Sequence, residues 1–402
     1  MTPDELVLAI MATPDGRRDP YPLYSQLQAE APIARSEMAP IWYLTRYNDC
    51  HAALRDHRLG KSDPDAPISL MPGREPRHRL SLARESMLMV NPPDHTRLRS
   101  LVAREFTPRR VERLRAQVET MCQTILDDIA DAGEVDIMDA LAFPLPVRVI
   151  GELLGVPEHE RDAHRPLTLA AARSIEPDAT AEDMRAAETA SRQQTEYFND
   201  LIERRTSKPG DDLISALIAV RDDTDRLSQS ELVATSILLF AAGFETTTNL
   251  IGNGLNTLLR HPEQLAWLRQ NMDAMPAAVD EILRYESPVQ LDMRVALEDA
   301  EVAGRRIPQG EAVITMLAAA NRDPAKIADP HAFKPQRPEI PLLSFATGIH
   351  YCLGANLARM EGQVVFTQLL QRFDTIELLD GEPAWRDRLT LRGLEHLNVR
   401  VA

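Results

Sequence analysis

Apolar residues recur along most of this chain at the three- and four-residue spacing of α-helices. Between residues 109 and 133 they form one regular series typical of an amphipathic helix: Val111, Leu114, Val118, Met121, Ile125 and Ile129. Similar patterns predict helices at residues 144–154, 161–173, 181–205, 213–221, 228–260, 277–285 and 354–373. Short strand patterns occur at residues 41–44, at 295–307 with a turn at Gly304, and at 392–401. The chain is therefore predicted to be mainly α, with small β-sheets.

The segment 228–260 is the longest predicted helix. Ser228 and Glu231 have the spacing of a capping box, in which each side chain satisfies a backbone amide, and Pro262 ends the helix. At 1.5 Å per residue the segment would span roughly 50 Å, the width of a whole domain. Because its first half is also strongly apolar, we expect it to run through the centre of the protein.

Composition excludes several classes of protein. The 402 residues carry a formal charge of −16, which disfavours binding to nucleic-acid phosphates. Three scattered cysteines do not suit a disulfide scaffold. The N-terminus lacks the basic and apolar segments of a signal peptide, and the most apolar stretch, residues 232–244, is shorter than the ~20 residues of a membrane span. We therefore expect a cytoplasmic protein without a membrane anchor.

The segment 344–359, SFATGIHYCLGANLAR, carries the strongest chemical signal. Cys352 precedes a predicted helix, where free amides and the positive end of the helix dipole favour the thiolate. Gly348 permits a sharp turn, and Gly354 lets the amides approach the sulfur. A cysteine alone is more often a small buried apolar residue, and His350 would also allow a Cys–His nucleophile. A zinc site would need more ligands than this pair provides.

A second signal interrupts the longest helix at residues 241–248, AAGFETTT. Glycine, consecutive threonines and a carboxylate are poor choices for a buried helix, and local rules broken at the centre of a protein suggest function. Ala242 and Gly243 would let a small ligand lie against the backbone. Thr246 could hydrogen-bond that ligand or a helix carbonyl, and Glu245 could relay protons. A kinked core helix with inward-facing threonines is the alternative.

Polar pairs at helical spacing form a third group of signals. Glu281 and Arg284 lie three residues apart, whereas His95 and Arg99 lie four apart, so each pair shares one helix face. Taken alone, such pairs are usually part of a solvated surface.

Together these segments resemble the cytochrome P-450 family. The cysteine loop resembles its F-G-x-G-x-H-x-C-x-G pattern, with Ala346 at the first glycine, and residues 241–247 match A-G-x-[DE]-T-[TS] within AAGFETT. The polar pairs match the family's E-x-x-R and H-x-x-x-R patterns. Residues 333–337, FKPQR, match its F-D-P-x-R element except for Lys334, and Arg337 is the implied partner of the E-x-x-R pair. These motifs occur in the family's order.

The resemblance implies the P-450 fold, in a single domain over residues 1–402 with about a dozen helices. Haem b would lie between the long helix and the Cys352 loop, with Cys352 as the thiolate ligand of iron, which favours O–O cleavage. The implied catalytic pair is Glu245 and Thr246. The residues implied to contact the cofactor are His95, Arg99, Ala242, Gly243, Arg294, Phe345, His350, Cys352 and Gly354. Those implied to line the substrate pocket are Phe240, Ala241, Val289, Gln290, Leu291 and Leu394.

The implied reaction inserts one atom of O2 into an apolar small molecule by hydroxylation or epoxidation. A secondary metabolite, steroid or terpene is the expected substrate. NAD(P)H-derived electrons would arrive through a ferredoxin reductase and a ferredoxin. The enzyme is expected to be a monomer. A haem-thiolate electron carrier or sensor is the alternative from another class, although it would not need the 241–248 motif. A peroxide-driven relative would need no redox partner, but such relatives typically lose the acid–alcohol pair that is intact here.

Two arginine clusters support further hypotheses. Several arginines near the His95 pair could dock an acidic ferredoxin, although a solvated basic face explains them as well: Arg97, Arg104, Arg109, Arg110, Arg113 and Arg359. Residues 74–84 hold four more arginines where the family's substrate-gating loop lies. They could pair with an anionic group on the ligand, or they could be solvated loop residues.

Overall fold

The computed structural model describes residues 1–62, 80, 85–219, 227–337 and 341–402. Its α-helices are α1 (Pro3–Ala12), α2 (Pro14–Arg18), α3 (Tyr21–Glu30), α4 (Tyr47–Arg55), α5 (Asp94–Ala103), α6 (Pro108–Ala132), α7 (Pro144–Leu154), α8 (Glu158–Arg161), α9 (His164–Arg173), α10 (Ala181–Ser207), α11 (Leu213–Ala219), α12 (Gln229–Leu259), α13 (Pro262–Gln270), α14 (Met275–Tyr285), α15 (Leu317–Ala320) and α16 (Ala355–Arg372). Turns of 3-10 helix lie at Arg104–Phe106, Met272–Ala274 and Gly348–His350, and a π-helical turn at Met138–Ala142.

The prediction of a mainly helical protein is confirmed, and α7 has the predicted bounds. The helix predicted at 161–173 begins at His164 instead, because α8 ends at Arg161 as a separate turn. The helix predicted at 213–221 is α11 in its described part, and residues 220–226 lie outside the described residues. The other predicted helices agree within two residues at each end. The apolar patterns did not predict α1 to α5, α13 or α15, all of which are ten residues or shorter.

Within the described residues the strands form four small sheets. They are β1 (Ile33–Arg35), β2 (Ile41–Leu44), β3 (Leu59–Gly60), β4 (Glu134–Asp136), β5 (Asp292–Ala296), β6 (Ala300–Val302), β7 (Arg305–Ile307), β8 (Ala312–Thr315), β9 (Ile376–Leu378), β10 (Ala384–Trp385), β11 (Leu394–His396) and β12 (Asn398–Val401). The largest sheet has the order β1-β2-β8-β5-β3, and only β2 and β8 run parallel in it. The others are β4-β12-β9, β10-β11 and the β6-β7 hairpin. That hairpin turns at Gly304, as predicted, with φ of 76°.

The helix α12 is the longest of the described helices and lies in the middle of the core. It packs against α7, α10, α14 and α16, and most of its side chains are buried. The predicted capping box is present, since Ser228 Oγ accepts from the Glu231 amide at 3.1 Å and Glu231 Oε2 accepts from the Ser228 amide at 2.7 Å. The expectation that this helix crosses the centre of the protein is confirmed.

Within the described part of the chain, no single helix combines the length and apolar character needed to cross a membrane. One bent pair, residues 138–154 and 158–173, meets these two criteria jointly, with an angle of 118° between its halves.

Candidate active site

The cysteine loop is a tight turn that ends where α16 begins. The Cys352 amide donates to the Phe345 carbonyl at 2.9 Å, and Gly354 is the N-cap residue of the helix. Gly348 has φ of 74°, and a Cβ on it would lie 2.4 Å from the Leu54 carbonyl oxygen, so no other residue fits there without displacement. Ala346, at the family's first glycine position, also has a left-handed φ of 54°. The loop therefore has left-handed backbone at both positions, at the cost of strain at Ala346.

Cys352 is exposed on one side and closely surrounded by protein on the others. Burial raises the pKa of its thiol, while the Gly354 amide and the guanidinium groups of Arg99 and Arg359 act in the opposite direction. The Gly354 amide at the helix N-terminus therefore lowers the pKa as predicted, but burial outweighs it and the net direction is upward. A bound metal ion is the partner that deprotonates a coordinating thiol outright.

The middle of α12 presents small residues on its open side. Ala242 is exposed, Ala241 and Thr246 are half-buried, and Thr246 Oγ1 donates to the Ala242 carbonyl at 2.8 Å. This is the predicted bond to the i−4 carbonyl. A Cβ on Gly243 would lie 2.8 Å from the Ile150 side chain. Its missing side chain lets α7 pack closely against α12.

Glu245 is turned away from this open side and is 2% exposed. Its Oε1 accepts from Arg386 Nη1 at 3.0 Å and from Arg388 Nη1 at 3.3 Å. Arg388 also donates to the Leu169 carbonyl of α9 at 3.1 Å. The sequence analysis missed both arginines, because they belong to an irregular segment between β10 and β11 that carries no motif.

Four predicted residues come together near β5: His95, His350, Arg294 and Arg99. The two histidine rings lie 4.3 Å apart between centroids, and Arg99 Nη2 donates to the Tyr351 carbonyl at 2.5 Å. Among the described residues no partner reaches His95 Nδ1, His350 Nε2 or Arg294 Nη2, although all three atoms are buried. The cluster therefore contains three buried nitrogen atoms without a hydrogen-bond partner among the described residues. They come from α5, from β5 and from the turn Gly348–His350.

The electrostatics of this cluster are positive. Asp292 accepts from Lys61 Nζ at 2.9 Å and lies 2.5 Å from Arg294 Nη1. Burial, followed by the nearby Lys61 and Arg294 charges, lowers the pKa of His350 to about 2, and burial with Arg99 and Arg294 lowers that of His95 to about 4. One carboxylate thus faces several cationic or donor groups, which favours a further anion here. Lys61 has no neighbouring sequence motif and was missed.

The polar pair on α14 is a buried network, as predicted. Arg284 Nε and Nη2 donate to the two Glu281 oxygens at 2.6 and 2.8 Å, and both side chains are buried. Arg337 Nε adds a third bond to Glu281 Oε1 at 3.0 Å, which confirms its predicted place. The Lys334 backbone amide also donates to Glu281, at 2.8 Å, so the departure from the family's acid leaves the network intact.

Comparison with known proteins agrees with this geometry. The family model "Cytochrome P450" (cytochrome P-450) matches residues 177–389. The 6-deoxyerythronolide B hydroxylase of Saccharopolyspora erythraea is 42% identical over 397 residues, 95% of this chain and 96% of that relative. Vitamin D(3) 25-hydroxylase of Pseudonocardia autotrophica is 40% identical over 394 residues, 96% of this chain and 94% of the relative. The chain belongs to the cytochrome P-450 family.

Solved structures give the same result for the fold. The crystal structure of P-450 BioI in complex with acyl carrier protein ligated to hexadec-9Z-enoic acid superimposes with a TM-score of 0.90 and 36% identity. It covers 96% of this chain and 99% of that one. The chain is therefore a P-450 monooxygenase with the P-450 fold, and haem b is the cofactor of its family.

The residues present fit such a group. Haem carries two propionates, and the unused nitrogen atoms of His95, His350 and Arg294 in a positive cluster suit these anions. Cys352 would supply the sulfur ligand. It is next to this cluster in the structure, because Arg99 donates a hydrogen bond to the carbonyl of the preceding residue, Tyr351. Phe345, in the same loop, is buried under the Arg359 guanidinium, which lies 4.6 Å from the centre of its ring.

The predicted pocket residues divide into two groups. Ala241 and Val289 are half-buried, and Leu291 is 9% exposed, so these three can border a cavity. The others are completely enclosed: Phe240, Gln290 and Leu394. Phe240 packs among aromatic rings, and the Gln290 amide bonds with the Tyr24 hydroxyl and the Ser287 carbonyl. These three side chains are therefore enclosed by other residues and do not face an open cavity. The arginines of 74–84 lie outside the described residues.

Proposed function

We propose that this P-450 hydroxylates or epoxidises an apolar small molecule, with Cys352 as the axial ligand of haem and Glu245 and Thr246 as the acid–alcohol pair. The observation that carries this proposal is the placement of the pair on α12. Thr246 borders the open side beside Ala242, while Glu245 lies on the adjoining buried side among charged groups. A carrier that only exchanges electrons would not need this arrangement.

The roles of the side chains follow from their donors and acceptors. Haem, when bound, supplies the redox chemistry of O2 activation. Thr246 Oγ1 both donates and accepts, so it can pass a proton to the oxygen side of the pocket and recover one. Glu245 is the nearest acid in sequence and would bring that proton from solvent. Ala241, Val289 and Leu291 give the pocket an apolar border, which excludes bulk water and suits an apolar substrate.

For the substrate we propose a secondary metabolite, steroid or terpene. Two relatives are named for hydroxylation of 6-deoxyerythronolide B and of vitamin D(3), which supports a bulky, largely apolar ligand. The test is a spectral-shift screen of such compounds against the ferric holoprotein, followed by turnover with reconstituted redox partners. Formation of an oxygenated product with NAD(P)H consumption supports the proposal. If no organic compound binds tightly and electron exchange is fast, the carrier or sensor is favoured instead.

A ferredoxin is the proposed electron donor. Of the six arginines considered for its docking, Arg97 pairs with Glu231, Arg110 with Glu105, and Arg359 with Asp280. The proposed dock consists of the other three, which are exposed and have no ion-pair partner among the described residues: Arg104, Arg109 and Arg113.

Electron transfer through this dock should slow as ionic strength rises, because exposed charges are screened beyond ~10 Å at 0.1 M salt. Arg109→Glu and Arg113→Glu should reduce both the rate and its salt dependence. The matched control is Arg372→Glu, an exposed position on the last turn of α16. An electron-transfer rate that does not depend on salt concentration would contradict the proposed dock.

A further inference from the structure

Arg386 leaves one edge of its guanidinium group unused. Its only side-chain hydrogen bond to a described residue runs from Nη1 to Oε1 of Glu245, at 3.0 Å. Nε and Nη2 have no partner among the described residues, and the structure does not enclose either atom, although the side chain is only 12% exposed. These two N–H groups point in parallel directions and form the edge that binds both oxygens of a carboxylate.

Two other arginines of this chain use the same edge to bind a carboxylate. Nε and Nη2 of Arg284 donate to the two oxygens of Glu281 at 2.6 and 2.8 Å. The same two atoms of Arg35 donate to Glu311 at 3.1 and 2.6 Å. Both of these edges are filled from within the protein. Arg386 is also largely enclosed, but its edge is open to an oxyanion that the described part of the chain does not supply.

The charges around Arg386 favour such an anion. Arg388 Nη1 donates to the same Glu245 oxygen at 3.3 Å, so two largely enclosed cations share one enclosed carboxylate. Burial lowers the pKa of the Arg386 guanidinium, and the like charges of Arg388 and Arg165 add to this effect. Glu245 and Glu395 oppose it, but Glu395 is exposed and water screens its charge. A second carboxylate at the open edge would offset this repulsion.

The segment that carries Arg386 also reaches the border of the predicted substrate pocket. It connects β10 to β11, and its Leu391 forms an isolated β-bridge with Val289, one of the border residues. Arg388 of the same segment donates to the Leu169 carbonyl of α9 at 3.1 Å. The segment is therefore held between α9, α12 and the pocket border, and these contacts fix the position of its two guanidinium groups.

We propose that the Nε–Nη2 edge of Arg386 binds a carboxylate of the substrate, and that the charge of Arg388 strengthens this binding. The inference rests on the proposed function, because it names the substrate class of that pocket: an apolar molecule that carries a carboxylate. Glu245 keeps its bonds to Nη1 of both arginines and holds them in position. Arg386 is thus a specificity-determining residue, since a neutral analogue of the substrate would leave its edge unpaired.

The test measures equilibrium binding to the ferric holoprotein by its spectral shift at about pH 8, where carboxylic acids are ionised. The probes are three apolar acids of different shape, dodecanoic, lithocholic and abietic acid, and each is compared with its neutral primary amide. In the wild type we expect at least one acid to bind roughly 10- to 100-fold more tightly than its amide, because charged bidentate hydrogen bonds are strong. Arg386→Gln should reduce the affinity for that acid to the affinity for its amide.

Two further variants serve as controls. Arg35→Gln makes the same change in a guanidinium group whose edge is already filled by Glu311, and it should keep the wild-type preference for the acid. Arg386→Lys keeps the charge but not the two parallel donors, so it should recover only a small part of the preference. The thermal midpoint of each variant shows whether it is folded, and Arg386→Lys replaces Arg386→Gln in the comparison if the glutamine variant is not.

Two results would overturn the inference. The first is a wild type that binds every acid no more tightly than its amide. The second is a preference for the acid that persists undiminished in the Arg386 variants, since the carboxylate would then bind elsewhere. The proposed function fails separately, if reconstituted redox partners give no oxygenated product. The ratio of acid to amide affinity requires neither electrons nor O2, so it still decides the inference in that case.

Discussion

Replacing Glu361 by glutamine should stabilise the holoprotein above neutral pH and leave its stability near pH 5 unchanged. Glu361 lies on α16, is 1% exposed, and has no partner for Oε2 among the described residues. Burial raises the pKa of this carboxyl to about 8, from an ordinary value of 4.5. The acid is therefore neutral in the folded protein at pH 7.

The sign of the effect follows from proton binding. Below pH 4.5 both folded and unfolded chains hold the proton, so the group contributes no pH dependence. Between pH 4.5 and 8 only the unfolded chain releases it, and folding stability falls as pH rises. At about 1.36 kcal/mol per pH unit the loss reaches about 5 kcal/mol at pH 8 and then stays constant. For a chain of this length that corresponds to roughly 6 °C in thermal midpoint.

The measurement is the thermal midpoint of wild type and Glu361→Gln from pH 5 to pH 9 by circular dichroism. The difference between them should be near zero at pH 5 and grow steadily to pH 8. Glu382→Gln, at an exposed position, is the control and should follow the wild type at every pH. A difference that does not change with pH would show that Glu361 ionises normally in the folded protein, and the reasoning from its burial would be refuted.

Four further substitutions test the site. Thr246→Ala should keep haem and substrate binding but divert reducing equivalents to hydrogen peroxide. Coupling, measured as product formed per NAD(P)H consumed, should therefore fall, and unchanged coupling would mean that another group donates the proton. Ala346→Gly should raise the thermal midpoint slightly, because it relieves a strain of about 1–2 kcal/mol, whereas Gly348→Ala should lower it. Glu281→Ala should cost about 3–5 kcal/mol in urea unfolding, since it leaves the buried Arg284 unpaired, and a loss below 1 kcal/mol would contradict that.

The helical architecture was predictable because its signals are local. The capping box of α12, the stop at Pro262 and the apolar spacing of α6 each depend on a few adjacent residues. The motif at Glu281 also gave a correct long-range contact, with Arg337, because the family pattern contains both.

The rest depends on tertiary contacts that the local sequence does not encode. Arg386 and Arg388 reach Glu245 across more than 140 positions in the chain, and nothing near either arginine marks it as a partner. The close approach of Gly243 to the Ile150 side chain is likewise not marked by any residue near that glycine. Phe240 and Gln290 have the right positions for a pocket wall, yet the packing turns both inward.

The central claim is thiolate ligation by Cys352, and the absorption spectrum of the reduced, CO-bound holoprotein tests it most directly. The wild type should show the red-shifted band of a thiolate-ligated haem, and Cys352→Ala should lose it, while Cys122→Ala, which alters a buried cysteine on α6, should retain it. A wild-type spectrum typical of histidine ligation, or a red-shifted band that persists in Cys352→Ala, would contradict the account.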